Sequence, residues 1–319
     1  MERFSKLSTI ALLIVSTNVH AASETWTVPN EWLNASYTRV GDFNGDGRTD
    51  FFTLGGSAAA LYYSNGVNAF TGTATRCWTG LPPLGNPEWV RVGNFDGTGA
   101  DEYVSPTGGT AYIYSFSGGP CPVALNTVPI SSSWGNAEWT WAGDFNGDGY
   151  ADYASMSGST VYMKFGNANV KSSGFTNATW TIAGSNPLGQ SVYTKVGDFN
   201  GDGKTDIASF AGGNAYMKLS TGSGFVAITW PISNKWFQGA YTFAGDFNGD
   251  GIADVASCGG GTCYIKQSTG GGFVDLPDVA IDPSWGNAEW TFVGDFEGDG
   301  NADIGSAYFG QVFMKLVSP

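Results

Sequence analysis

The chain has 319 residues and a formal net charge of −14 at pH 7, with 28 acidic residues against 14 lysines and arginines. Because no basic stripe is available to neutralise phosphates, this composition excludes a nucleic-acid partner. Beyond the N-terminus, no apolar run approaches the length of a membrane-spanning helix, so the sequence predicts a protein that is not embedded in a membrane.

Residues 1–21 have the features of a secretory signal peptide. Two basic residues precede an apolar stretch at residues 7–15, and residues 19–21 have the small-residue spacing of a cleavage site. We therefore expect export, to the periplasm or out of the cell, and a mature chain that begins near Ala22. Cleavage would remove His20, the only histidine. The mature protein would then lack Ser-His-Asp and Cys-His nucleophiles and any histidine-ligated metal site.

Six copies of an acidic loop follow at a spacing of about fifty residues. They read GDFNGDGRTD from Gly41, GNFDGTGADE from Gly93, GDFNGDGYAD from Gly143, GDFNGDGKTD from Gly197, GDFNGDGIAD from Gly245 and GDFEGDGNAD from Gly294. We number them loops 1 to 6 and count positions from the residue after the first glycine, so position 1 of loop 1 is Asp42.

The segments between the loops predict an all-β fold. They are short, rich in aromatic and β-branched residues, and broken by glycines, with no helical period. In the fourth repeat, TKVGDF, TDIASF, NAYMKLS and GFVAITWPI read as four successive strands. Four antiparallel strands per repeat predict a six-bladed β-propeller that occupies residues 22–319 as a single domain.

The two ends of the chain are predicted to complete one blade together. The last repeat offers only three strands, whereas residues 25–29, TWTVP, resemble the outer strands that begin at Thr179 and Thr229. We expect the N-terminal segment to supply the fourth strand, which removes exposed strand edges. A solenoid of stacked units is the competing architecture, but neither end looks like the atypical capping repeat that a solenoid needs.

Each loop carries the oxygen donors of a calcium site. Side chains at positions 1, 3, 5 and 9 and the backbone carbonyl at position 7 are hard donors, and the glycine at position 6 permits a sharp turn. Plain turns are the alternative, since Asn-Gly and Asp-Gly are turn dipeptides, but a turn does not need three carboxylates. The predicted ligands are Asp42, Asn44, Asp46, Arg48 and Asp50; Asn94, Asp96, Thr98 and Glu102; Asp144, Asn146, Asp148, Tyr150 and Asp152; Asp198, Asn200, Asp202, Lys204 and Asp206; Asp246, Asn248, Asp250, Ile252 and Asp254; and Asp295, Glu297, Asp299, Asn301 and Asp303.

The loops are not equivalent. Loop 2 has Asn94 at position 1 and Thr98 at position 5, so its charge is lower and its site is either empty or loose. Loop 6 has the additional acid Glu297 and is expected to bind more tightly. The sequence thus predicts up to six Ca²⁺ ions. Since the carboxylates of one loop repel one another, we expect chelation to lower stability.

The four cysteines are expected to be oxidised in an exported protein. Cys258 and Cys263 flank Gly-Gly-Gly-Thr at a hairpin tip, where opposed residues lie close enough to bridge. Cys77 and Cys121 fall near the outer strands of consecutive blades and form the predicted second pair. Four buried thiols are the alternative.

Two other repeated side chains are interpreted as structural. Lysines recur in the third strand, where we expect a solvated row, and tryptophans recur in the outer strand, where we expect packing. The lysines are Lys164, Lys218, Lys266 and Lys315, and the tryptophans are Trp26, Trp78, Trp180 and Trp230.

Connections rich in aromatic residues join each blade to the next, on the face opposite the loops. Two of them contain the identical segment SWGNAEW. Tryptophan beside asparagine and glutamate suits a sugar, because the ring stacks on a pyranose and the polar groups bind its hydroxyls. A wedge between blades is the alternative for the aromatic residues, but packing does not explain the polar ones. The predicted ligand-binding residues are Trp134, Asn136, Glu138, Trp139, Trp285, Asn287, Glu289 and Trp290.

With Phe at position 2 and glycines at positions 4 and 6, the loops resemble FG-GAP or VCBS repeats, the calcium-binding blades of integrin α-subunit heads and of exported bacterial proteins. The resemblance covers the whole mature chain. It implies a propeller with metal loops on the lower face and ligand recognition on the upper face. The chain differs from integrins because it has six units, shorter repeats, and no following stalk or membrane segment. It is more similar to exported bacterial propeller lectins.

We therefore expect a secreted calcium-binding propeller that binds a glycan or glycoconjugate at several sites without catalysis. A polysaccharide lyase or glycosidase of propeller type is one alternative, and an adhesin that binds a host or cell-surface protein is another. The acids of the mature chain outside the loops form no evident acid/base pair. They are Glu24, Glu31, Glu88, Glu138, Asp275, Asp278, Asp282 and Glu289.

Overall fold

The structure is a computed structural model that describes most of the chain from His20 onward. The described residues are 20–28, 38–55, 58–76, 89–107, 109–116, 123–129, 137–182, 188, 191–233, 242–259, 261–281, 291–308 and 311–318. Most of the predicted signal peptide and the predicted site residues Cys77, Cys121, Trp134, Asn136, Trp285, Asn287, Glu289 and Trp290 lie outside them.

The described strands form six antiparallel sheets, which are the blades of a propeller and are numbered here with their loops. From the inner to the outer strand, blade 1 contains β2 (Arg39–Gly41), β3 (Asp50–Gly55), β4 (Ala58–Ser64) and β5 (Phe70–Arg76); blade 2 contains β6 (Arg91–Gly93), β7 (Glu102–Thr107), β8 (Thr110–Ser115) and β9 (Val123–Pro129); and blade 3 contains β10 (Thr140–Gly143), β11 (Asp152–Ser157), β12 (Thr160–Phe165) and β13 (Thr176–Thr181). Blade 4 contains β14 (Thr194–Gly197), β15 (Asp206–Ala211), β16 (Asn214–Ser220) and β17 (Phe225–Pro231); blade 5 contains β18 (Thr242–Gly245), β19 (Asp254–Gly259), β20 (Thr262–Ser268) and an outer edge made of β21 (Phe273–Asp275) and β22 (Val279–Ala280); and blade 6 contains β23 (Thr291–Gly294), β24 (Asp303–Tyr308), β25 (Gln311–Ser318) and β1 (His20–Thr27).

Helical structure within the described residues is confined to short turns. A single helical turn, α1 (Val170–Ser173), lies between β12 and β13, and 3-10 turns at Ala137–Trp139 and Ser191–Tyr193 precede β10 and β14. None of the helices in this part of the chain has the length and apolar character needed to cross a membrane. The all-β prediction is confirmed.

The propeller closes as the sequence predicts. Strand β1 pairs with β25, so that Trp26 lies opposite Val312 and the N-terminal segment becomes the outer strand of blade 6. The Trp26 ring packs 5.4 Å from that of Phe70 in blade 1. The inner strands lie side by side around the whole ring, from β2 past β6, β10, β14 and β18 to β23 and back to β2.

Apolar cores lie between neighbouring blades. One core joins Phe145 and Met163 of blade 3 to Ile207 of blade 4. Because each sheet packs face to face against the next, the second strand of a blade is buried on both sides along most of its length, as in β11, β15 and β19. The outer-strand tryptophans Trp26, Trp180 and Trp230 are buried in these cores, as predicted.

The prediction of a solvated lysine row is wrong. All four lysines are buried, and Lys218 is 0% exposed. The third strand carries them between two blades, and partners of Lys164 and Lys266 lie on the outer strands of their own blades. Lys266 pairs with Asp275 and also donates to Ser233 Oγ, and Lys164 donates to Asn177 Oδ1. Desolvation lowers the pKa of Lys164, Lys218 and Lys315.

The hairpin disulfide is confirmed. Cys258 and Cys263 lie directly opposite each other on β19 and β20, with their Cα atoms 3.9 Å apart, and their sulfurs are bonded.

Candidate functional site

Loops 1 and 3 to 6, called the regular loops below, curl around the carboxylate at position 1. In loop 1, Asp42 Oδ1 accepts hydrogen bonds from the backbone N–H groups of Gly45 (2.7 Å) and Asp46 (3.1 Å), and Oδ2 accepts one from Gly47 (2.8 Å). Gly45 and Gly47 have φ angles of 75° and 83°, which residues with a Cβ atom rarely adopt. Loops 3 to 6 repeat the same three contacts.

Position 5 is exposed in loops 1 and 3 to 6, whereas position 3 ranges from exposed at Asn44 to buried at Asn248. Asn44 Nδ2 donates to Asp46 Oδ2 at 3.0 Å, and the same contact recurs between Asn146 and Asp148 and between Asn248 and Asp250. Basic side chains at position 7 reach position 5 in two loops, where Arg48 pairs with Asp46 and Lys204 with Asp202. The carboxylate at position 5 is thus exposed to solvent in loops 1 and 3 to 6, and in loops 1 and 4 it is already paired with a basic side chain.

Position 9 lies beneath the loop. Asp50 is 0% exposed, and its two oxygens accept backbone N–H groups from Phe43 at position 2 (3.1 Å) and from Ser64 at the end of β4 (2.9 Å). The equivalent residues of the other regular loops are held in the same way, namely Asp152, Asp206, Asp254 and Asp303. This carboxylate joins the loop to the third strand of its own blade.

Burial and like charge raise the pKa of these aspartates. Desolvation is the largest cause, and other carboxylates of the same loop add to it, at positions 1 and 5 in loops 1 and 3 to 5 and at positions 3 and 5 in loop 6. The pKa rises to about 8 for Asp50, Asp254 and Asp303 and to about 7 for Asp152 and Asp206. Each regular loop therefore concentrates negative charge that favours either a proton or a metal cation.

A ring of backbone hydrogen bonds joins the six loops, and sequence reasoning did not find it. In every loop the N–H at position 8 donates to the carbonyl at position 1 of the preceding loop. The six bonds are Asp101 to Asp42 (2.7 Å), Ala151 to Asn94 (2.9 Å), Thr205 to Asp144 (2.6 Å), Ala253 to Asp198 (2.7 Å), Ala302 to Asp246 (2.6 Å) and Thr49 to Asp295 (2.7 Å). The last bond closes the circle, so the loops form one continuous lower face.

Loop 2 is built differently. Asn94 Oδ1 is buried and accepts no hydrogen bond from any described residue. The ammonium group of Lys171, on α1 of blade 3, contacts the buried carboxylate of Asp96. Burial alone raises the pKa of Asp96, but the ammonium group of Lys171 and the hydrogen bond from Thr98 N outweigh it and hold that pKa below its usual value. Burial and the adjacent Asp96 raise the pKa of Glu102 to about 8.

The donor set of the regular loops fits a hard divalent cation. Apart from backbone N–H groups and the amides at position 3 of loops 1 and 3 to 5, the groups around position 1 are oxygens. The position 9 carboxylate accepts one N–H per oxygen and therefore keeps lone pairs for a metal, whereas at position 1 only Oδ2 accepts a single N–H. Among the described residues, no three acidic, cysteine or histidine side chains are gathered into one cluster. The oxygens at position 3 of loops 1 and 3 to 5 and at position 7 belong to a side-chain amide and a backbone carbonyl, so they are not carboxylates.

The face opposite the loops holds the described part of the predicted sugar site. Glu138 is exposed and accepts a hydrogen bond from Ser191 Oγ of blade 4 at 3.3 Å. Trp139 is half-buried, with its ring 6.1 Å from that of Trp141 and packed in the same core as Leu188. The described part of the predicted site is thus the consecutive pair Glu138 and Trp139, which lies at a blade junction. Trp139 packs there partly as the wedge between blades that the alternative interpretation predicts.

Comparisons with known proteins agree with this architecture. The family described as FG-GAP-like repeat matches residues 42–105, 144–209, 198–257 and 246–306. No curated protein sequence matches the chain.

Two solved structures show the same fold at low sequence identity. A chain of the Tc holotoxin pore of Photorhabdus luminescens aligns with a TM-score of 0.63 and 15% identity over 93% of this chain, which spans 14% of the toxin chain. A lectin of Agrocybe aegerita, described for its recognition of non-reducing terminal N-acetylglucosamine, aligns with a TM-score of 0.55 and 19% identity over 84% of this chain and 73% of its own.

Proposed function

This chain belongs to the FG-GAP-like repeat family, and we propose that it is a secreted, calcium-loaded propeller that binds carbohydrate without catalysis. The observation that carries the metal part of this proposal is the repeated loop geometry, with a carboxylate at position 1 enclosed by backbone N–H groups and a second carboxylate buried at position 9. Bound calcium would offset the charge that these carboxylates concentrate.

The regular loops would each hold one ion with oxygens from positions 1, 3, 5, 7 and 9. In loop 4, for example, these are the side chains of Asp198, Asn200, Asp202 and Asp206 and the backbone carbonyl of Lys204. The role we propose for the metal is structural. Since positions 1 and 8 of neighbouring loops are hydrogen-bonded, an ion that fixes one loop also supports the next.

The carbohydrate part of the proposal is based on the opposite face. Glu138 is exposed beside the half-buried Trp139, a combination that can accept sugar hydroxyls and stack on a pyranose. The segment SWGNAEW occurs again three blades away, so two equivalent sites would lie on opposite sides of the ring and gain strength from multivalent binding. The fold shared with a lectin specific for N-acetylglucosamine makes sugars with that terminus the first ones to test.

A glycan array probed with the mature chain from Ala22 in calcium tests this proposal. We expect selective binding, and we expect Trp134→Ala combined with Trp285→Ala to weaken it at unchanged melting temperature. Lys204→Met, on the loop face, is the control and should bind normally. A blank array with folded, metal-bound protein would refute the lectin proposal, and falling viscosity of a polysaccharide solution would identify an enzyme instead.

A further inference from the structure

We propose that Lys171 is the resident cation of loop 2, so that this loop needs no metal ion while the other five do. The inference rests on the proposed calcium binding for the five regular loops, but not for loop 2 itself. Loop 2 and the third blade both depart from the repeat pattern. The two departures complement each other, because together they place Lys171 of blade 3 against an acid of loop 2.

The first departure is in loop 2. Position 1 is Asn94 and position 5 is Thr98, which leaves Asp96 and Glu102 as the acids at ligand positions. The third acid of this loop, Asp101, points away from it, since its Oδ2 accepts the backbone N–H of Asp42 in loop 1 at 2.9 Å. Loop 2 therefore presents less negative charge than a divalent cation site of the regular kind.

The second departure is in blade 3. The hairpin between the third and fourth strands occupies residues 221–224 in blade 4 and 269–272 in blade 5, but residues 166–175 in blade 3. In blades 1, 4 and 5, the serine just before this hairpin donates through Oγ to the position 2 carbonyl of the preceding loop: Ser64 to Phe296 O, Ser220 to Phe145 O and Ser268 to Phe199 O. In blade 3, Asn167 N of the hairpin donates to Phe95 O of loop 2 at 3.1 Å. The longer hairpin of blade 3 consequently lies over loop 2.

The additional residues of this hairpin form α1 and fix it in place. Val170 is 0% exposed and packs with Phe95 of loop 2 and Val128 of blade 2. Its carbonyl accepts a hydrogen bond from Asn126 Nδ2 at 3.0 Å. Lys171 follows directly, so its side chain, which is 40% exposed, starts from an anchored backbone beside the loop.

The ammonium group of Lys171 ends at Asp96, whose side chain is 1% exposed. Asp96 lies beside Glu102, the position 9 residue, whose carboxylate accepts the backbone N–H of Phe95 at 3.0 Å. The ammonium group of Lys171 thus supplies the positive charge beside these buried acids that a bound metal ion would supply in a regular loop. The pairs Arg48 with Asp46 and Lys204 with Asp202 are different, because their acids lie on the exposed side of the same loop.

Thermal unfolding in EDTA tests the inference without any bound metal. Lys171→Met leaves Asp96 buried without its cation, and we expect a melting temperature lower by roughly 3 °C or more. Lys204→Met removes a basic side chain whose partner acid, Asp202, is exposed, and it keeps the backbone carbonyl proposed as a metal ligand, so it should change the melting temperature by less than about 1 °C. Lys171→Arg, which keeps the charge, should restore most of the loss. Equal values for the Lys171→Met and Lys204→Met variants would overturn the inference.

Calcium stoichiometry, measured by elemental analysis after dialysis, separates this inference from the proposed function. We expect five ions per wild-type chain and a sixth after Lys171→Ala is combined with Asn94→Asp and Thr98→Asp. Six ions in the wild type would overturn the inference. No bound calcium in the wild type would refute the proposed function, and the EDTA comparison would then still decide the role of Lys171.

Discussion

At the scale of single residues, the carboxylate at position 9 has a structural role in addition to the metal-binding role that we propose for it. Asp206 accepts N–H groups from Phe199 (3.1 Å) and Ser220 (2.7 Å), so it ties the loop to β16. It also faces the charges of Asp202 and Asp198 in a buried setting. Without a bound cation, this environment favours the protonated form of Asp206 in the folded chain.

Metal-free protein should therefore lose stability as the pH rises. The pKa of Asp206 is raised to about 7 and that of Asp254 to about 8, whereas an aspartate in an unfolded chain titrates near ~3.9. Between about pH 4 and pH 8 the folded state binds more protons than the unfolded state, so the free energy of unfolding falls with increasing pH. We expect a lower melting temperature in EDTA at pH 8 than at pH 5.

Calcium and one substitution provide the controls for this dependence. Saturating calcium should flatten it, because ionised carboxylates are the form that binds the metal. Asp206→Asn removes one titrating group and should also reduce the slope in EDTA, whatever it does to the absolute melting temperature. A melting temperature in EDTA that stays level or increases from pH 5 to pH 8 would contradict the assignment of raised pKa values.

At the scale of the loop, the glycine that precedes position 1 is explained by a neighbouring blade. A Cβ added at Gly197 would lie 2.6 Å from Ala253 Cβ, at position 8 of loop 5. Ala253 is the residue whose N–H donates to Asp198 O at 2.7 Å. The glycine thus permits the close approach that makes one bond of the ring.

Gly197→Ala should consequently destabilise the protein by about 1–3 kcal/mol, because the added methyl group forces two adjacent blades apart. Gly224→Ala is the matched control in the same repeat, since its added Cβ would approach only Thr221 Oγ1, at 4.0 Å. Urea unfolding of both variants in calcium gives the comparison. If Gly197→Ala were as stable as the control, the proposed role of the glycine would be wrong.

The strands and loops were predictable from sequence because their signals are local and repeated. The fourth repeat shows this, since β14, β15, β16 and β17 fall where the pattern places them. The predictions that failed or were missed depend on contacts between blades. Lys218 lies on a strand whose faces are both covered, and Lys171 acts on a loop in a different repeat. No local pattern in one repeat reports either contact.

At the scale of the whole molecule, the ring is closed twice. At its outer edge, β1 pairs with β25, which joins the two ends of the described chain in blade 6. At its lower face, Thr49 N donates to Asp295 O and completes the circle of loop-to-loop bonds. Because each loop is bonded to its neighbours, we expect metal binding to stabilise the ring as a unit and not blade by blade.

Thermal unfolding of the metal-depleted mature chain, followed with and without calcium, tests the central claim most directly. A calcium site that exists only in the folded state raises the free energy of unfolding by about 2.7 kcal/mol when the calcium concentration exceeds its Kd a hundredfold. Several such sites would act together. The account predicts one cooperative transition that moves to a markedly higher temperature in calcium and returns when EDTA is added. An identical melting temperature in calcium and in EDTA would contradict the claim that these loops are calcium sites.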